Sequence, residues 1–430
     1  MCLPINREEI AESVFFTRIT DSRYKTNRIT IAFLTSQDSA ERVSEIALLM
    51  RVLSRRNGTY PDTKLFSRAL AELYDTTIAF DLGNFGDCHC AELAVSAIDD
   101  SYALEGEAVT SAAAQILLDC VMKPHFTSCT SGKIAADIEA DKKAQIEEIE
   151  AELNDKRRYA NIKAMEIAYR GEKSALNKNG TVEGVGAATA DLLLAAYNKL
   201  LQTARIEIIC AGKNDFSAVA ELYAAAFSAL GRKKENICNV NSEYSPLKSS
   251  PEERTEKLPV SQCKTVFVMK TDCRDTAALK MMTKIYGGGV SSKLFLNVRE
   301  KLSLCYYCAS VFDAEKGIMM IYSGVEESNI DPAREEIFRQ WEDMKAGNFT
   351  EEDLAKAFIG TENDLKSISD SPAGITGWYL GKIYRCDIIS PEKQIERYKE
   401  VTREQIIAAA SGTALDTVYV LRGQEEVSSD

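Results

Sequence analysis

Two stretches of this sequence follow one pattern of elements, 229 positions apart. "NRITIAFLT" leads to "EIALLMRVLSRRNGTYPDTKLFSRALAELYDTTIAF", and "CKTVFVMKT" leads to "TAALKMMTKIYGGGVSSKLFLNVREKLSLCYYCAS". Each runs from an alternating strand to an apolar helix and a glycine turn. A Lys-Leu-Phe then opens a second helix, and a further strand follows. Lys64-Leu65-Phe66 thereby falls on Lys293-Leu294-Phe295, and Gly58 falls on Gly287. A chain that contains itself twice must build two similar cores, so its 430 residues should divide into two lobes of about 200 residues. The order of elements favours an α+β fold in which each lobe is a mostly antiparallel sheet packed on helices, the two joined as a clamshell.

The joint is placed at residues 231–261, "GRKKENICNVNSEYSPLKSSPEERTEKLPVS", where Lys, Glu, Asn, Ser and Pro abound and no apolar period is sustained. The expected domains are therefore 1–230 and 262–430. In the first, Ser131 to Arg170 is a helical region with acidic and basic residues interleaved. "ADLLLAAYNKLLQ" is a second helix and "ARIEIICAG" a buried strand. In the second, Asp331 to Lys345 and Glu351 to Ser367 read as helices, the latter opened by Thr350-x-x-Asp353 as a loose capping box.

Composition excludes several roles. A net charge of −13 argues against nucleic acid or an anionic membrane as a partner. No apolar run approaches the roughly 18–20 residues that span a bilayer. The start "MCLPINREEI" lacks a basic-then-apolar signal pattern, so a cytoplasmic location is expected. The twelve cysteines are scattered (2, 88, 90, 120, 129, 210, 238, 263, 273, 305, 308, 386), mostly inside apolar runs, and read as reduced buried thiols. In "DCHCAEL" strand alternation puts Cys88 and Cys90 on one face and His89 on the other, which suits neither a shared zinc nor a disulfide. Cys305-x-x-Cys308 has no second pair or histidine cluster beside it.

The machinery of an ordinary hydrolase is also missing. The only histidines, His89 and His125, have no second histidine or acid at helical ligand spacing, and both read as structural. No nucleophile elbow, phosphate loop or dinucleotide fingerprint occurs. "NGTVEGVGAATADLL" (179–193) carries glycines before a helix, but no strand leads into it, so it reads as a turn and helix cap.

What remains is "GGGVSSKLFLNVREKLSLCYYCAS", with a tyrosine seven residues after the arginine of "VREK". With the duplicated halves and the linker, it resembles the pitrilysin/insulinase (inverzincin) family of zinc peptidases over essentially the whole chain. Members of that family carry H-x-x-E-H on the first apolar helix, followed closely by a Gly-Thr turn. Aligning on Gly58-Thr59 puts Leu49, Val52 and Leu53 in the three motif positions. Leucine offers zinc no lone pair, and without a glutamate at 52 no general base can take a proton from bound water. The third family ligand would fall at or near Glu148, whose helix otherwise reads as a solvated acidic face. The first half is thus expected to be an apolar pseudo-site that holds no metal or other cofactor.

The resemblance also assigns roles to the second half. Arg299 and Tyr306 would stabilise the carbonyl of a bound peptide, with Tyr307 the nearest rival for the tyrosine. Gly287, Gly288 and Gly289 would let backbone approach closely. A guanidinium and a phenol aimed at a developing oxyanion are chemically apt. Taken alone, the pair could equally be a surface ion pair and a strand aromatic. The likeness is to the non-catalytic bacterial, processing-peptidase-like branch named for elongation-factor-P 5-aminopentanol modification. It implies a subunit that pairs with a zinc-bearing homologue, or with itself, around an extended peptide or protein substrate. Strands around Thr76–Phe85 and Tyr306–Phe312 are the candidate edges for pairing with that peptide. Two other readings stand beside it: a stand-alone peptide-binding or structural scaffold, and an independent enzyme built on Cys88, His89 and Cys90.

Overall fold

The computed structural model describes residues 5–127, 131–234 and 243–423, so Cys2, Cys129, Cys238 and part of the expected linker lie outside the described residues. Among the described residues, eleven strands form two sheets. The first comprises β1 (Ile5–Ala11), β2 (Val14–Thr20), β3 (Thr26–Ser36), β4 (Thr77–Phe85), β5 (Cys88–Ile98) and β6 (Arg205–Gly212), in the order β1-β2-β6-β3-β5-β4. The second comprises β7 (Glu252–Leu258), β8 (Cys263–Thr271), β9 (Tyr307–Asp313), β10 (Ile318–Val325) and β11 (Thr413–Gly423), in the order β7-β11-β8-β10-β9. Both sheets are antiparallel except at one junction, where β2 runs parallel to β6 and β7 parallel to β11. The orders superpose strand for strand once β1 is set aside, which is the duplication written in topology.

The helices of the first half are α1 (Ala40–Leu53), α2 (Thr63–Glu72), α3 (Val109–Met122), α4 (Ser131–Asn154), α5 (Lys156–Ala168), α6 (Val182–Ala187), α7 (Ala190–Thr203) and α8 (Ser217–Ser228). Those of the second are α9 (Thr276–Gly287), α10 (Ile330–Lys345), α11 (Glu351–Ile368), α12 (Pro372–Tyr384), α13 (Pro391–Lys399) and α14 (Arg403–Ser411). Between α9 and β9, Leu294–Lys301 forms a π-helical turn, in which the Leu302 N–H reaches back to the Asn297 carbonyl at 3.2 Å. The expected caps form. Thr350 and Asp353 exchange backbone-to-side-chain bonds at 2.8 and 3.1 Å, and Thr181 accepts from Gly184 N–H at 3.0 Å to open α6.

The expected boundaries need correction in two places. First, the stretch 231–261 is not all linker, because β7 lies within it and pairs with β11. "EERTEKL" shows no apolar period because this edge strand is held by its backbone ladder, while most of its side chains meet solvent. Second, the two compact units are interleaved in sequence: one holds residues 1–150, 176–241 and 367–390, the other 151–175, 242–366 and 391–430. Helix α5 covers the second sheet, where Ala160, Ala164 and Ile167 pack on Val266, Val268 and Tyr419. Helix α12 covers the first, where Ile375, Tyr379 and Ile383 pack on Ile19, Leu34 and Ile209. An apolar stripe tells that a helix buries one face but not which sheet receives it.

Candidate functional site

In the first unit, helix α1 starts at Ser39, whose hydroxyl accepts from the Arg42 N–H, and buries an almost continuous apolar face. Leu49, Val52 and Leu53 are each no more than 1% exposed. The three positions that would hold a metal and its base are therefore core. Glu148 does not face them as a ligand. It forms an ion pair with Arg51, whose Nε also donates to Gln145 at 2.8 Å. One turn further along, Arg55 reaches Asp141 at 3.1 Å, and Arg56 pairs with the same carboxylate. Asp137, Asp141, Gln145 and Glu148 recur at helical spacing, so α4 turns one polar face to Arg51 of α1 and to Arg55 and Arg56 just beyond its end. Zinc does not fit this donor set. Among the described residues no group of three or more His, Cys, Asp or Glu is placed to hold a metal ion.

The two histidines are structural. His125 meets Asp137 at 3.0 Å. His89 is buried on β5, its Nε2 set 2.9 Å from the Lys178 carbonyl, and burial pulls its pKa down to about 4. Two glycines of "NGTVEGVG" serve packing: a Cβ on Gly180 or Gly184 would sit 2.4 Å from the Ser44 hydroxyl of α1.

In the second unit, Arg299 and Tyr306 line one pocket of about 400 Å³. Glu300, Ser303, Leu304, Cys305, Glu326 and Asn329 complete its wall. The Tyr306 backbone is pinned by an N–H bond to the Gly324 carbonyl at 2.9 Å, while the side chain stays half exposed. Its phenol donates to the Glu326 carboxylate, which holds the phenol pKa above its ordinary value. Arg299 lies over the Phe295 ring at 4.7 Å, and its nearest carboxylate, Glu300, is 3.5 Å away. Its charge is therefore not consumed by a tight pair. Tyr307 is not part of this wall. Its ring packs against Gly324 and lies 5.6 Å from the Arg157 guanidinium, and burial raises its pKa to about 12.

The glycine run does not line the pocket. Gly287 ends α9 so close to β9 that a Cβ would stand 2.6 Å from Ser310 Oγ and 2.7 Å from Ser310 N. Gly288 is equally tight against Lys284, whereas Gly289 faces open space. Gly287→Ala is expected to cost about 1–3 kcal/mol by overpacking, read as a lower urea midpoint, because the opposing atom is backbone and cannot swing away. Sequence reasoning missed Glu326 and Asn329, which only the antiparallel return of β10 carries to Tyr306. It did find the edges, since β4 and β9 each end a sheet.

Residues 187–359 match the peptidase M16 inactive domain. A Bacillus subtilis (strain 168) protein described as the probable inactive metalloprotease YmfF is 28% identical over 392 residues, covering 90% of this chain and 91% of that one. Among solved structures, a conserved Enterococcus faecalis V583 protein superposes with TM-score 0.88 at 24% identity, covering 98% of this chain and 99% of that one. A peptidase M16 inactive domain from Pseudomonas fluorescens superposes with TM-score 0.77 at 18% identity, covering 98% and 99%. These matches make the chain similar to M16-type peptidase homologues that are themselves described as inactive. No helix among the described residues is long and apolar enough to cross a membrane.

Proposed function

We propose that this chain is the non-catalytic subunit of a heteromeric processing peptidase. It would pair with a zinc-bearing homologue, hold an extended peptide, and present Arg299 and Tyr306 to the peptide carbonyl. The observation that carries this reading is the convergence of those two side chains on one pocket, in a chain whose metal positions are aliphatic core. β9 begins at the residue after Tyr306 and has a free ladder edge, so a peptide paired there would run past the pocket. Within the pocket Glu326 occupies the Tyr306 proton, and an oxyanion would compete for the same donor. The link to elongation-factor-P modification belongs to this reading through the sequence resemblance alone, and a cytoplasmic location is proposed with it.

The test is reconstitution. The purified chain, a homologue with an intact H-x-x-E-H from the same organism, and their mixture are each assayed on a quenched fluorescent peptide library. Cleavage should require both chains and be lost with a metal chelator. Equal cleavage by the homologue alone, or chelator-insensitive cleavage by this chain alone, would remove the proposal.

A further inference from the structure

Cys305 and Cys308 flank the two tyrosines at the entry to β9. The chain bends at Tyr306, and the two cysteines belong to one buried cluster in which each perturbs the titration of the other. Cys305 forms part of the wall of the Arg299 pocket. Cys308 lies behind it on β9, paired with Ser323 of β10 and packed in the core of the second unit. Cys305 therefore meets the pocket, while Cys308 is absent from its lining and packed in the core. That is the arrangement of an attacking and a resolving cysteine.

We propose that Cys305 and Cys308 form an oxidisable dithiol, a modification site at which hydrogen peroxide converts the pair to an intramolecular disulfide on the pocket wall. The Cys305 sulfur attacks the terminal peroxide oxygen and the O–O bond breaks. The departing oxygen leaves as water with the Cys305 proton, and Cys305 becomes a sulfenic acid. The Cys308 sulfur then attacks the Cys305 sulfur and the S–O bond breaks, releasing a second water with the Cys308 proton. Two thiols give up two electrons and two protons, and one hydrogen peroxide becomes two waters.

The surroundings assign the same roles. The neighbouring Cys308, aided by the Arg299 charge, draws the Cys305 thiol down against its burial. The neighbouring Cys305 and burial push Cys308 up. The four-residue link closes around Tyr306 and Tyr307, so forming it constrains the phenol of the pocket. That last consequence rests on the proposed function; formation of the disulfide does not.

The test uses the full chain, reduced and then titrated with hydrogen peroxide, alkylated, and digested with trypsin. The peptide from Leu302 to Lys316 contains both cysteines and no others. It should lose two hydrogens, resist alkylation, and recover with dithiothreitol. This should occur at peroxide doses about tenfold below those that consume the exposed Cys386. Cys308→Ser should stop at a Cys305 sulfenic acid trapped by dimedone, and Cys305→Ser should leave the peptide unoxidised. Addition of oxygen atoms to the wild-type peptide without loss of two hydrogens would overturn the proposal. So would a peptide still reduced when Cys386 is spent. These masses do not depend on peptide binding, so a failed reconstitution and a failed oxidation are separate results.

Discussion

Arg299→Ala in the reconstituted pair is expected to lower kcat about 10²–10³-fold while leaving KM within a small factor. The guanidinium is a donor for charge that exists only as the carbonyl becomes tetrahedral, so its loss should appear in turnover rather than in ground-state affinity. The fold should not register the change. Arg299 is partly exposed, stacks on Phe295, and has only a loose contact with Glu300. A surface substitution of this kind is usually within about ±0.5 kcal/mol in stability. Kinetics and denaturant midpoints measured on the same preparation separate the two effects. Undiminished turnover would favour the scaffold reading, in which the pair is an ordinary surface cation and a strand-end aromatic. Tyr306→Phe supplies the companion measurement. It removes the phenolic donor and frees Glu326 without emptying the aromatic position.

Much of this arrangement was legible in the sequence because it is written in periods and steric exceptions. The alternation in "NRITIAFLT" and "CKTVFVMKT" gave β3 and β8, and the run of apolar residues through Leu49 and Leu53 gave a buried α1. The spacing from Arg299 singled out the tyrosine that shares its pocket, whereas Tyr307 points its ring toward Gly324 and Arg157. Side-chain pattern could not show features decided by partners. β7 is a strand because β11 supplies its ladder, not because its own residues alternate. The sequences of α5 and α12 do not say which sheet they cover, and only tertiary packing assigns each to the sheet of the other half. Glu326 sits twenty positions beyond Tyr306, and the hairpin of β9 and β10 makes them neighbours. The glycine run was read as giving a substrate backbone room to approach, but at Gly287 and Gly288 the close approach is to the chain itself and Gly289 faces open space.

The second large effect falls on the polar seam of the first unit. Asp141→Ala is expected to destabilise the chain by about 3–5 kcal/mol, because it strands a buried guanidinium without its counter-charge. Both Asp141 and Arg56 are buried, with side chains 1% and 5% exposed, so water cannot replace the lost partner. Glu148→Ala, on the same helix face, should cost no more than about 1 kcal/mol, since its carboxylate is 55% exposed. The contrast bears on the degenerate site. If Glu148 still served a metal there, its replacement would be the costly one and a chelator would lower the unfolding midpoint. The geometry gives the opposite order, with Asp141 critical, Glu148 dispensable, and no shift with chelator. Replacing Asp141, Arg55 and Arg56 together by apolar residues of similar size should recover part of the loss, since a buried pair costs most when only one member is removed. Urea denaturation of the three variants, with and without chelator, decides between an α1–α4 contact held by arginine and carboxylate and one that needs an ion.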